Sequence, residues 1–142
     1  MKKIIIAIAM LFTAFGAHAS KFVSNSGESM DEFVVRNARS IELIGLKANS
    51  EVCGAIVMRD GLFSLEIITN GSNIQCTVSH EPDATLIHTH LPYMGTRFSH
   101  ADYSHRGYMI RNGAICYNDG ERGTEVSVTR YGRKSGYYCA TQ

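Results

Sequence analysis

The apolar pattern of this chain changes period once, near residue 50, and that change restricts the fold to one long helix packed on a sheet. Before it, Met30, Phe33, Val34, Ala38, Ile41 and Ile44 recur at three- and four-residue intervals, the stripe of an amphipathic helix. Ser29-Met30-Asp31-Glu32 opens that helix as a capping box, in which the Ser29 hydroxyl accepts from a first-turn amide and Glu32 reaches back. The stripe predicts a helix from 29 to about Gly45. Beyond it, runs at 52–58, 62–69, 74–79, 85–90, 108–111, 114–117, 125–131 and 137–139 read as strands. Asp60-Gly61 and Asn112-Gly113 are tight hairpin signals, whereas Asn70-Gly71-Ser72-Asn73 and Asn118-Asp119-Gly120 are looser turns. Ser99 opens a short second helix reaching to about Arg106. The expected fold is α+β: a curved or partly closed mixed sheet, one long N-terminal helix, and a short helix late in the chain.

The first nineteen residues read as a signal peptide and are set aside. Lys2 and Lys3 precede an apolar run from Ile4, and Ala17-His18-Ala19 places small residues where a signal peptidase reads them, so cleavage is expected after Ala19. The run is short for a membrane span, and no stable membrane anchor is expected. Residues 20–28 are polar and small and read as a flexible lead-in; 29–142 then form one domain. An exported chain with four cysteines, Cys53, Cys76, Cys116 and Cys139, points to two disulfides. Three pairings are open, with the sequence-local one, Cys53 to Cys76 and Cys116 to Cys139, preferred. A four-thiolate zinc site is the rival, opposed by the absence of a C-x-x-C pair and by the oxidising compartment.

Chemistry concentrates in one stretch. His88 and His90 lie two apart on an expected strand, so both imidazoles leave the same face and can reach one ion. After eight intervening residues comes Ser99, and after two more Asp102. His88, His90 and Asp102 would give Zn²⁺ three ligands and leave a fourth position for water, the arrangement of a catalytic zinc. A zinc held that way acidifies its water and polarises a carbonyl. Glu51, at the start of a strand and on the same strand face as Cys53, is the candidate proton carrier. Ser99 offers a hydroxyl to the developing oxyanion. Taken singly, each feature has a plainer reading: surface histidines, a helix cap and an exposed carboxylate. Their joint spacing carries the argument.

Glu51-Val52-Cys53-Gly54, His88-Thr89-His90-Leu91 and Ser99-His100-Ala101-Asp102 together resemble the signature of the JAMM (MPN+, JAB-like) zinc metalloprotease family. That signature is a Glu beside a Cys-Gly or Gly-Gly strand, then His-Ser/Thr-His-Pro, seven residues, Ser, two residues and Asp. Here Leu91 stands in place of the family's Pro, with Pro92 one position later. That shift bears on the loop path more than on the ion site. The resemblance covers about 51–107 and is similar as well to small JAMM-like domains at the ends of secreted bacterial proteins. It implies a JAMM/cytidine-deaminase-like sheet, one zinc per chain on His88, His90 and Asp102, Glu51 as general acid/base, Ser99 as oxyanion donor, and a peptide or isopeptide substrate.

His100 and His105 read as surface groups or as groups behind the ligands, and His80, Glu81 and Asp83 as turn residues. Tyr93 and Arg97, in the loop before Ser99, are solvated or line a substrate groove. For an exported hydrolase the expected partners are cross-linked peptidoglycan peptides or a protein. The alternatives are a disulfide-braced binding module without catalysis, or a secreted toxin or effector of other chemistry such as a nuclease. The formal charge of +1, with Lys and Arg scattered, argues against nucleic acid as a partner.

Overall fold

The computed structural model describes residues 19–69, 75–135 and 139. Residues 1–18 of the expected signal peptide at 1–19 and the Asn70–Asn73 turn lie outside the described residues, as do Ile74, Tyr137 and Tyr138 of two expected strands. Its elements, in chain order, are β1 (Ser20–Val23), α1 (Met30–Ala48), β2 (Cys53–Arg59), β3 (Leu62–Ile67), β4 (Thr85–Thr89), a 3₁₀ turn (Ala101–Ser104), β5 (Arg106–Arg111), β6 (Ala114–Asp119), β7 (Val126–Thr129) and β8 (Gly132–Ser135). The strands form one curved, unclosed sheet in the order β1-β3-β2-β4-β5-β6-β7-β8. Every described pairing is antiparallel except β4 with β5, whose parallel join is made through the loop and 3₁₀ turn that carry Ser99 and Asp102. Among the described residues no helix is long and apolar enough to cross a membrane.

The capping box forms: Ser29 Oγ accepts from Glu32 N–H at 3.2 Å, and the Glu32 carboxylate accepts from Ser29 N–H at 2.8 Å. The helix does not stop at Gly45. It runs a turn further and is closed by Asn49 in the left-handed region at φ 47°. Gly45 is a packing residue instead, because a Cβ there would meet Ser50 O and Thr89 Oγ1 at 3.0 Å. Its absence lets α1 sit close to the strand end that carries the histidines. Phe33, Val34, Ala38 and Ile41 of α1 bury against Ile56, Leu65, Ile87, Tyr108 and Ile110 on one sheet face. Each such large side chain contributes roughly 1.5–3 kcal/mol. The Tyr108 hydroxyl donates to Asp31 Oδ1 at 2.5 Å, and Arg133 Nε donates to Asp31 at 3.0 Å, which ties β8 to the first turn of α1.

Four expectations are corrected. The lead-in is partly a strand: β1 pairs with β3, Phe22 opposite Leu65, and Phe22 packs on the core. An edge strand needs only backbone and one apolar anchor, which a polar segment can supply. The expected strand at 74–79 is irregular over 75–79. β2 already has β3 and β4 on its two sides and β3 has β1, so this segment finds no free edge beside β2. The short helix after Ser99 is only the four-residue 3₁₀ turn, with no side-chain cap. The strand expected at 125–131 stops at Thr129, and the chain turns at Arg130 and Tyr131 into β8, which the sequence reading did not include.

Both disulfides follow the sequence-local pairing, Cys53 with Cys76 and Cys116 with Cys139. Cys53 and Cys116 lie on the sheet face away from α1, where Phe98, Met109, Cys116 and Cys139 make a second, smaller core. Gly54 sits where β2 and β3 approach most tightly: a Cβ would lie 2.5 Å from Glu66 O and 2.6 Å from Leu65 Cδ1. Gly54→Ala is therefore expected to lower stability by about 3 kcal/mol, read as a fall in the denaturant midpoint. An unchanged midpoint would show that the strands separate freely there.

Candidate active site

The start of β2 and the end of β4 are laced together. Thr89 N–H donates to Val52 O at 3.0 Å, and Val52 N–H donates to Thr89 Oγ1 at 3.2 Å. In register, Cys53 faces His88. This lacing holds Glu51, which lies two residues before β2 and not on the expected strand, beside His90. His90 extends the line of β4 and donates its backbone N–H to Ile110 O at 2.9 Å.

Four sequence-predicted residues converge. His88 Nε2 and His90 Nε2 lie 3.2 Å apart, Glu51 Oε1 is 3.6 Å from His90 Nε2, and Asp102 Oδ2 is 3.9 Å from His88 Nε2. Glu51, His88, His90, Ser99 and Asp102 all line one cleft of about 540 Å³. Ser99 lies at its exposed rim, and its backbone N–H, not its hydroxyl, bonds Asp102 Oδ2 at 2.5 Å.

The hydrogen bonds set the imidazole tautomers. His90 Nδ1 is 2.5 Å from Gly95 O, and a carbonyl only accepts, so Nδ1 carries the proton. A neutral His90 then presents a lone pair at Nε2, and the proton in the Nε2–Nε2 contact belongs to His88. An imidazole whose far nitrogen donates to a carbonyl is the usual metal-ligating arrangement. Two nitrogens on one tetrahedral zinc stand about 3.3 Å apart, given bonds near 2.0 Å. The observed 3.2 Å matches that spacing, while Asp102 must close slightly to complete the set. Among the described residues no group of three or more His, Cys, Asp and Glu is already gathered as a metal cage. The residues present therefore fit zinc as a preset imidazole pair with a third ligand nearby.

Burial pushes the Glu51 carboxyl up to about 7, and the Asp102 charge pushes the same way. Burial pushes His88 down to about 4, with Asp102 opposing and His90 reinforcing that shift. A carboxyl poised near neutrality suits a group that must both take and return a proton.

Some neighbours of the site had no sequence signal. The Gly95 carbonyl orients His90, and the Phe98 ring meets His88 edge-on with centroids 6.0 Å apart. From the loop before Ser99, Met94 and Phe98 line the cleft, whereas Tyr93 and Arg97 are not among its lining residues and Tyr93 is exposed. His80, read as a turn residue, lines the cleft together with His105, and His100 does not. Leu91, standing where the family signature has Pro, is buried and turns its backbone N–H to Met94 Sδ at 3.4 Å, a contact a proline could not make.

Compared with known proteins, the chain matches no family model, no curated protein and no solved structure.

Proposed function

We propose that this chain is an exported, zinc-dependent hydrolase of peptide or isopeptide bonds, of the JAMM type. The observation that carries the reading is the convergence of the two imidazole Nε2 atoms, the Asp102 carboxylate and the buried Glu51 carboxyl in one cleft. His88, His90 and Asp102 would hold the ion. When bound, zinc supplies Lewis acidity toward water and toward the scissile carbonyl. Glu51 takes the proton released as water attacks and returns it to the departing amine nitrogen. Burial keeps its proton affinity near the middle of that exchange. Ser99, at the rim, turns its hydroxyl to the oxyanion. Paired cysteines favour action in an oxidising compartment, on cell-wall peptides or a protein.

A second reading, a disulfide-braced binding module, is favoured by the lack of a preassembled three-residue cage among the described residues. Against it stands Glu51, which faces the imidazole pair although burial there is unfavourable for a carboxylate with no task.

Metal analysis separates the two. Wild-type protein, loaded with zinc and desalted, is expected to retain one zinc per chain, His88→Ala none, and Asp102→Ala a strongly reduced amount. A folded wild type that retains no zinc overturns the hydrolase reading.

A further inference from the structure

Asp102 differs from the histidines in what carries it. His88 lies on β4 and His90 directly follows it, whereas Asp102 sits on the 3₁₀ turn Ala101–Ser104. The hydrogen bonds inside that turn are local. Ser99 N–H donates to Asp102 Oδ2 at 2.5 Å, Asp102 N–H to Ser99 O at 3.1 Å, and Ser104 Oγ to Ala101 O at 2.7 Å. These bonds make the segment from Ser99 to Ser104 a unit, but they do not set where the unit stands over the histidines. Asp102 Oδ2 is 3.9 Å from His88 Nε2. An aspartate side chain is short, so it closes on an ion only if its turn is held at the right place.

Among the described residues, the hydrogen bond that ties this turn to another element comes from the residue after Asp102. The Tyr103 hydroxyl donates to Glu125 Oε1, just ahead of β7. The segment that presents Glu125 is itself fastened: Asp119 N–H donates to Thr124 Oγ1 at 2.9 Å, and Thr124 Oγ1 donates to Glu121 O at 2.6 Å. From the same segment the Arg122 guanidinium stands over the Tyr103 ring, 5.6 Å from its centroid. The ring also meets Phe98 edge-on, with centroids 5.9 Å apart, and packs on the second core. Phe98 in turn meets His88 edge-on. Tyr103 therefore reaches Asp102 through the backbone and His88 through Phe98, yet neither Tyr103 nor Glu125 lines the cleft.

We propose that Tyr103 and Glu125 are a positioning pair for the zinc, their hydrogen bond setting Asp102 within coordinating reach of the imidazole pair. The proposal rests on the hydrolase reading and adds to its metal site two residues that are not ligands. A hydrogen bond to a carboxylate is among the stronger and more directional kinds, which suits it to fixing a turn. A role in packing alone needs the Tyr103 ring. A role in placing Asp102 needs the hydroxyl and its acceptor as well, and that contrast supplies the test.

Zinc dissociation constants are measured by competition with a chromophoric chelator, starting from metal-free wild type and variants. Tyr103→Phe keeps the ring and removes the hydroxyl. It is expected to weaken zinc binding about tenfold, the low end of the loss seen when a support behind a metal ligand is removed. Glu125→Ala should cost the same, and the double variant no more than either single one, because both remove one interaction. Glu125→Gln still offers an amide oxygen to the phenol and should stay within about threefold of wild type. Cobalt(II) in place of zinc gives a second readout. The visible spectrum of Tyr103→Phe should move toward that of Asp102→Ala, whereas a loss of packing alone leaves the spectrum of the folded protein unchanged. Wild-type affinity in Tyr103→Phe, losses that add in the double variant, or an unshifted cobalt spectrum overturns the pair. A wild type that binds no zinc is the separate failure of the hydrolase reading, and takes the pair with it.

Discussion

Glu51→Gln is expected to slow hydrolysis by about a thousandfold while leaving zinc bound. A glutamine keeps the size and the hydrogen-bonding oxygen but neither takes nor returns a proton, and acid–base catalysis contributes typically 10²–10⁴ in rate. The loss should appear in kcat, because Glu51 stands beside the imidazole pair, 3.6 Å from His90 Nε2, as a proton carrier and not as one of the proposed ligands. Turnover of a quenched-fluorescence peptide library by wild type and variant, with zinc measured on the same samples, checks both halves. A variant that keeps full activity removes Glu51 from the chemistry.

Without metal, Glu51 and His88 are expected to tilt stability against pH in opposite directions, so that each substitution uncovers the other's slope. The Glu51 carboxyl moves from an ordinary 4.5 to about 7 on folding. Its folded pKa is raised, so its contribution is fully present below pH 4.5 and is lost as pH rises through about 7, at most about 3 kcal/mol. His88 moves from 6.5 to about 4, so its contribution is present above pH 6.5 and is lost as pH falls through about 4. In chelator, wild type should show a shallow profile between these limits. Relative to it, Glu51→Gln should gain stability as pH rises toward 7, and His88→Gln should lose it over the same window. Differences from wild type cancel contributions common to all three proteins, such as Glu28, which its hydrogen bond to Arg36 holds low. Melting temperatures from pH 4 to 8 decide the matter, and parallel slopes in the two variants would contradict the opposed shifts.

These expectations use residues that were legible before the fold was known, and the reason is local. The capping box needs four consecutive residues, and the Asp60-Gly61 and Asn112-Gly113 turns two each; Asp60 and Asn112 do adopt positive φ, 51° and 49°. The alternation that put His88 and His90 on one side of a strand is a property of the extended backbone itself. Cysteine pairing by proximity along the chain also held.

What failed depended on partners far away. Gly45 resembles a helix stop until Ser50 O and Thr89 Oγ1 are seen against it. Residues 75–79 alternate like a strand but find no free edge beside β2. β1 looks like a tether until Phe22 meets the core and its backbone meets β3.

Sequence by itself determined the helix start and the tight hairpins, and it named the candidate site residues and a preferred cysteine pairing. These follow from forces that act within a few residues: backbone sterics, side-chain alternation and local hydrogen bonding. Only the tertiary structure decided that Glu51 lies 3.6 Å from His90 and that Gly95 fixes the tautomer of His90. Burial and strand order belong to the assembled sheet, and no stretch of chain carries them alone.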